Sequence, residues 1–193
     1  LSTQIAEAIP IYDPKGVFVR VQAAVLERYR KTRYVKARVS LSLREAERYV
    51  SLARLSMREE RTHELPSHLT QFVMYGVAPA IFFLAGEPPT ERRCLEALRP
   101  ACEMLDAEGL YHSIVTMLGL DDPSKEWCEQ AIHVTCQLTQ KVAAVMRIHD
   151  PESYQLNADW LSKAMADYFL AGAKELMSTG KLAASIFCCM VLA

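Results

Sequence analysis

From Leu69 to Gly86 the chain reads LTQFVMYGVAPAIFFLAG, without a single charged residue. Only two settings suit such a run: a bilayer, or the middle of a packed core. A membrane-crossing helix needs about 20 predominantly apolar residues. This run is marginal in length, contains Thr70, Gln71 and Pro79, and is bounded by His68 and Glu87. A helix that is apolar all round serves equally well as the central helix of a bundle. The sequence therefore predicts a buried core helix and a soluble, non-integral protein.

The rest of the chain supplies helices to surround it. With 193 residues, 51% hydrophobic and 23% charged, the chain is long enough for a real core and is neither disordered nor fibrous in composition. Strand signatures are nearly absent; VFVRV at 17–21 is the one candidate, and it runs into a helical pattern extending to Val39. Ser42 and Glu45 form a capping box that predicts a second helix to Arg61. Pro66 and Ser67 open the core helix, and Glu87-Pro88-Pro89 closes it. A helix from Thr90, interrupted near Pro100, and a short one over 110–118 follow. Asp122-Pro123 and Asp150-Pro151 each place a carboxylate before a proline at a helix start. Asn157 is a further expected cap, and Gly180 separates the last two helices. The predicted fold is all-α without a sheet: two small helical bundle subdomains, 1–87 and 88–193, joined near residues 87–91.

Charge is distributed unevenly. Residues 15–61 hold 13 of the 22 Lys and Arg against five acids, a balance of +8; the remainder of the chain stands at −9. Such a split suggests one basic surface for an anionic partner and an acidic surface elsewhere. At 100° per residue, Arg44, Arg48, Arg54, Arg58 and Arg61 share an arc of about 140°. Ala46, Tyr49, Val50, Ala53 and Met57 are expected on the core side. Arginine's planar fork suits phosphate. Arg28, Arg30, Lys31, Arg33, Lys36 and Arg38 precede them, interleaved with Tyr29 and Tyr34. Together these residues are the candidate membrane- or phosphate-binding face, for lipid headgroups or a nucleic-acid backbone. The bland alternative is a solvated face neutralised by Glu45, Glu47, Glu59 and Glu60.

Other chemistry finds less support. Glu60 and His63 have the Glu-x-x-His spacing of half a di-iron site, but the second copy of the motif is missing. Cys128, His133 and Cys136, with Cys102 or His112, lack any Cys-x-x-Cys pair for zinc. Six cysteines at irregular spacing, after an amino end without a basic-apolar leader, predict reduced thiols in an intracellular protein. No phosphate-cradling glycine loop or nucleophile elbow is present. The sequence predicts no enzyme, no cofactor and no metal site.

Two stretches resemble a known family. LPSHLTQFVMYGVAPAIFFLAGEPPTERRCLEAL resembles the centre of orthomyxovirus (influenza-type) matrix proteins, through Leu65, Pro66, Leu69, Thr70, Pro89, Glu91, Arg92, Arg93, Ala97 and Leu98. AGAKELMSTGKLAASIFCCM resembles a later segment, through Gly172, Ala173, Lys174, Glu175, Ala183, Ala184, Cys189 and Met190. The two cover about a quarter of the chain. The influenza proteins are basic overall and carry a Cys-x-x-Cys…His-x-x-His stretch; this chain is near neutral and has no such stretch. The resemblance implies two helical subdomains and a structural role: a homo-oligomeric shell assembled by head-to-tail contacts under a viral envelope. It would bind anionic lipid as a peripheral protein and contact viral ribonucleoprotein or RNA. Implied locations are the inner face of the virion envelope, and the host cytoplasm, membrane and nucleus. A helical RNA-binding nucleoprotein or adaptor using the same basic face is the alternative.

Overall fold

The computed structural model describes residues 5, 8–150, 152, 155 and 163–192. Every regular element among them is helical, so the fold is all-α. In chain order these are α1 (Val17–Tyr29), α2 (Thr32–Arg58), a 3-10 turn (Thr62–Glu64), α3 (Leu65–Gln71), a π-helical turn (Phe72–Val77), α4 (Ala78–Ala85), α5 (Cys94–Glu103), α6 (Glu108–Met117), α7 (Lys125–His149), α8 (Lys163–Ser178) and α9 (Leu182–Leu192).

The uncharged run is the central helix. α3, the π turn and α4 form one continuous helical stretch, and Val73, Ala78, Ile81 and Phe82 lie in its buried face. By length and composition Thr62–Ala85 would also suffice to cross a membrane; half of its most apolar window is buried inside the fold. The π turn has a local cause. Pro79 lacks the N–H that would bond the Tyr75 carbonyl, and its ring crowds that carbonyl; a widened turn just before it relieves both. Gly86, with φ of 79°, ends the helix in the left-handed conformation suited to glycine.

α2 crosses this helix on one side. Its inward residues are Ser42, Ala46, Tyr49 and Ser56. At the crossing the two backbones touch. A Cβ built on Gly76 would stand 2.6 Å from the Ala46 Cβ and 2.8 Å from its Cα, so glycine is required. α5 and α9 also pack on the central helix, and α8 lies against α9 and α7. α8 and α9 form a hairpin about Gly180, φ 76°. Ser185, fully buried on α9, donates to the Ala173 carbonyl at 2.8 Å, and the Cys188 thiol points to the Phe169 carbonyl at 3.2 Å.

A single cluster of buried side chains runs from Val73 to Cys189 and continues across residues 87–91. The irregular segment there is stapled to α8. Arg92 and Arg93 both pair with Glu175, and the Arg92 guanidinium lies 4.5 Å over the Tyr168 ring. The Arg92 stem fills the space that a side chain at Gly172 would need.

Several boundaries differ from expectation. The helix expected over 17–39 breaks at Arg30-Lys31, where Lys31 is extended with ψ of 130°. The capping box at Ser42 and Glu45 does not form: α2 is continuous, and Ser42 is buried against the core helix. Met57, expected inside, is 63% exposed; the residue that turns inward in the last turn of α2 is its neighbour Ser56, 1% exposed. The α7 cap is Ser124 rather than Asp122; its hydroxyl accepts from the Trp127 amide at 3.1 Å. α5 starts at Cys94 rather than Thr90 and continues a turn past Pro100, which is exposed. The caps expected at Asp150-Pro151 and Asn157 involve Pro151 and Asn157, which lie outside the described residues; Asp150 itself ends α7.

Candidate phosphate-binding face

A 27-residue helix seated on one side leaves the opposite side to solvent, and on α2 that side is basic. Arg33, Lys36, Arg44, Arg48, Arg54 and Arg58 fall within about 120° of arc, centred opposite Ser42, Ala46 and Tyr49. All six are exposed. From Arg33 to Arg58 the stripe is about 37 Å long at 1.5 Å per residue. Glu47 is the one acid inside it. The outward direction follows from Gly76: the close approach there holds the Ala46 side of α2 inward and thereby aims the arginines out.

Ion pairing divides the candidate cations. Arg28, Arg30, Arg33, Lys36, Arg44, Arg54 and Arg58 make no ion pair among the described residues, so their charge is directed at solvent. Lys31 pairs with Glu27 at 2.8 Å and Arg48 with Glu45 at 3.2 Å, both on the surface. Such pairs contribute at most about 1 kcal/mol and yield readily to a stronger anion.

Arg38 and Arg61 do not belong to the face. Arg38 projects from the inward side, donates to the Tyr29 carbonyl and lies 4.0 Å over the Tyr29 ring and 4.9 Å over the Phe83 ring. It is the clamp that folds α1 back on α2 and the core helix. Arg61 lies beyond the end of α2 and is held at 2.7 Å by both Glu59 and Glu64. The sequence number of Arg61 suits the arc, but the chain leaves the helix before it; Arg38 lies about 140° from the arc's centre, on the inward side.

Apolar side chains flank the stripe in the open. Leu41, Leu43 and Leu55 on α2 are each 41–55% exposed, and Val17, Val19, Val21 and Leu26 on α1 are exposed as well. α1 is anchored through Tyr29, its one buried residue, and its start is capped by Asp13, whose carboxylate accepts from the Val17 and Val19 amides. The sequence signal for that cap was the Asp three residues before Gly16.

One cluster that sequence spacing missed joins α2 to the core helix. Ser56 donates to Glu64 at 2.7 Å and stands 3.1 Å from His68 Nε2; the Glu64 carboxylate is 3.6 Å from the same nitrogen. In a nucleophilic triad the acid holds the other ring nitrogen. Here Nδ1 is buried without a partner and Ser56 is 1% exposed, so the cluster is a latch between elements. The Ser56 hydroxyl, ahead of the Arg61 guanidinium, holds the Glu64 carboxyl below its ordinary value.

Glu60 and His63, both exposed, lie outside this cluster. Among the described residues no three His, Cys, Asp or Glu side chains gather as metal ligands. Burial pushes the Cys94 and Cys188 thiols up to about 12 and Cys189 to about 11, so these groups pack as neutral thiols.

No known protein family, characterised protein or solved structure matches this chain.

Proposed function

We propose that this chain is a matrix-type structural protein of a virus. It binds anionic membrane peripherally through the outer face of α2, self-associates, and contacts ribonucleoprotein from elsewhere on its surface. The observation that carries the reading is the basic stripe, about 37 Å long at helical rise, in which Arg48 alone is ion-paired among the described residues, bordered by exposed leucines. Arginine forks suit lipid phosphates, each basic residue near an anionic surface contributes about 1 kcal/mol, and leucines beside them reach the acyl boundary. A nucleic-acid backbone would use the same cations but leaves exposed Leu41, Leu43 and Leu55 without a partner. The two stretches that resemble the matrix family also meet, through Arg92 and Arg93 on one and Glu175 on the other.

Flotation with phosphatidylserine vesicles across a salt series tests the reading, comparing wild type with an Arg44/Arg48/Arg54→Glu triple variant. Wild type is expected to float at low salt and progressively less as salt screens the stripe. The triple variant, folded by circular dichroism, is expected to stay at the bottom. Absence of wild-type flotation at low salt overturns the membrane reading. If RNA then binds with a salt slope that the triple variant loses, the stripe belongs to nucleic acid.

A further inference from the structure

α7 has an outer face as continuous as that of α2 and opposite in chemistry. Trp127, Val134, Leu138, Val142, Val145 and Ile148 are 41–71% exposed and share one side of the helix. Its buried residues, Cys128, Ile132 and Thr135, all lie in the first half. Beyond Leu138 the helix runs on with apolar groups facing solvent, an arrangement that tertiary packing ordinarily relieves.

The spacing is that of a coiled-coil seam. Trp127, Ala131, Val134, Leu138, Lys141, Val145 and Ile148 alternate steps of four and three. The series is also nearly symmetric about Leu138. Turned end for end, it places Trp127 opposite Ile148, Ala131 opposite Val145 and Val134 opposite Lys141, and Leu138 meets itself. Charge selects the same direction. Within the helix, Glu126 and Glu129 against Lys125 leave one end acidic, whereas Lys141 and Arg147 make the other basic. A parallel pair would set acid on acid; an antiparallel pair sets acidic ends on basic ones. Two such faces, about 31 Å long at helical rise, bury on the order of 1,000 Å² in total, the lower bound for a specific interface.

We infer that the outer face of α7 binds a second copy of this chain as an antiparallel two-fold helix pair centred on Leu138. This gives the self-association in the function proposed above a definite surface, and rests on that part of the reading; it uses no residue of the α2 stripe. An isologous contact of this kind closes as a dimer, leaving both stripes free.

Sedimentation of the full chain over a concentration series tests it with two substitutions at exposed positions. Wild type is expected to show a reversible monomer–dimer equilibrium. Leu138→Glu brings two carboxylates together on the axis and is expected to leave monomer only, with an unchanged thermal midpoint. Val134→Glu would face Lys141 of the other copy and is expected to tighten the dimer several-fold. In a parallel pair it would face itself and weaken association. A wild type that stays monomeric at the highest concentration, or a dimer weakened or unmoved by Val134→Glu, overturns the inference. Vesicle flotation of the same proteins is read separately: loss of flotation in Leu138→Glu from a monomeric wild type assigns the face to lipid instead. Flotation that fails while the dimer forms overturns only the membrane part.

Discussion

α2 and α7 are the two long helices of the fold, 27 and 25 residues; α2 buries one side against the central helix and α7 against α8 and α9. They differ in how they are held and in what they turn outward. α2 is fixed near its middle by the Gly76–Ala46 contact and at its ends by the Arg38 clamp and the Ser56–Glu64–His68 latch. Its outer side is arginine. The buried residues of α7, Cys128, Ile132 and Thr135, lie in its first half, and its outer side is valine, leucine and isoleucine. Geometry alone therefore does not say what an outward face is for. A charged face, fully hydrated, is stable as a monomer surface and waits for an anion; an apolar face of the same length is costly until covered.

The strongest way to break the contrast compares one residue type at two depths. Leu98, fully buried at the centre of the cluster, is expected to cost about 3 kcal/mol when changed to alanine, whereas Leu138→Ala, measured on monomer by urea denaturation, should cost less than about 0.5 kcal/mol. Equal costs would mean that α7 is packed as tightly as the core. Next comes the crossing itself: Gly76→Ala forces the α2 backbone away and is expected to lose about 2 kcal/mol, with reduced vesicle flotation because the stripe is re-aimed. A smaller effect sharpens the division within α2. Arg38→Ala should lose about 1 kcal/mol through its stacking and hydrogen bond and leave flotation nearly intact, while Arg33→Ala should do the reverse. The smallest concerns pH. Folding lowers the Glu64 carboxyl below its ordinary 4.5, so the stabilisation from the latch is complete above that value and is lost as pH falls through the lower native one. Acid titration of the denaturation midpoint should show this loss, and Ser56→Ala, which removes the first cause of the shift, should flatten it.

Much of this was legible beforehand. Hydropathy alone located the core helix, since an uncharged run between Pro66 and Glu87-Pro88-Pro89 has few other places to go. The basic window at 15–61 was visible in composition, and helical periodicity aligned Arg44, Arg48, Arg54 and Arg58 correctly. Local signals misled where a competing contact was stronger. Ser42 and Glu45 have the spacing of a cap, yet a small serine at a helix crossing is worth more inside the interface than at an end. Asp122 stood before a proline, but Ser124 was two residues nearer the helix and took the amide. The heptad steps of α7 were present in the sequence and unreadable as a surface until it was known which side the core had taken.

What the sequence by itself determined was the class of structure and the sign of its surfaces: helices throughout, one apolar run at the centre, and excess positive charge in the first third. These depend on composition and on periods of three and four residues, which are local. Only the tertiary structure decided which cations face outward, that Arg38 and Arg61 are spent on internal contacts, that α2 runs unbroken through Ser42, and that α7 keeps an uncovered apolar side. Apart from the local pairs of Arg61, these depend on residues far apart in the chain, such as Ala46 with Gly76, Arg38 with Phe83, Ser56 with His68 and Arg92 with Gly172. Close packing couples such residues at distances set by atomic radii, and no local period carries that information.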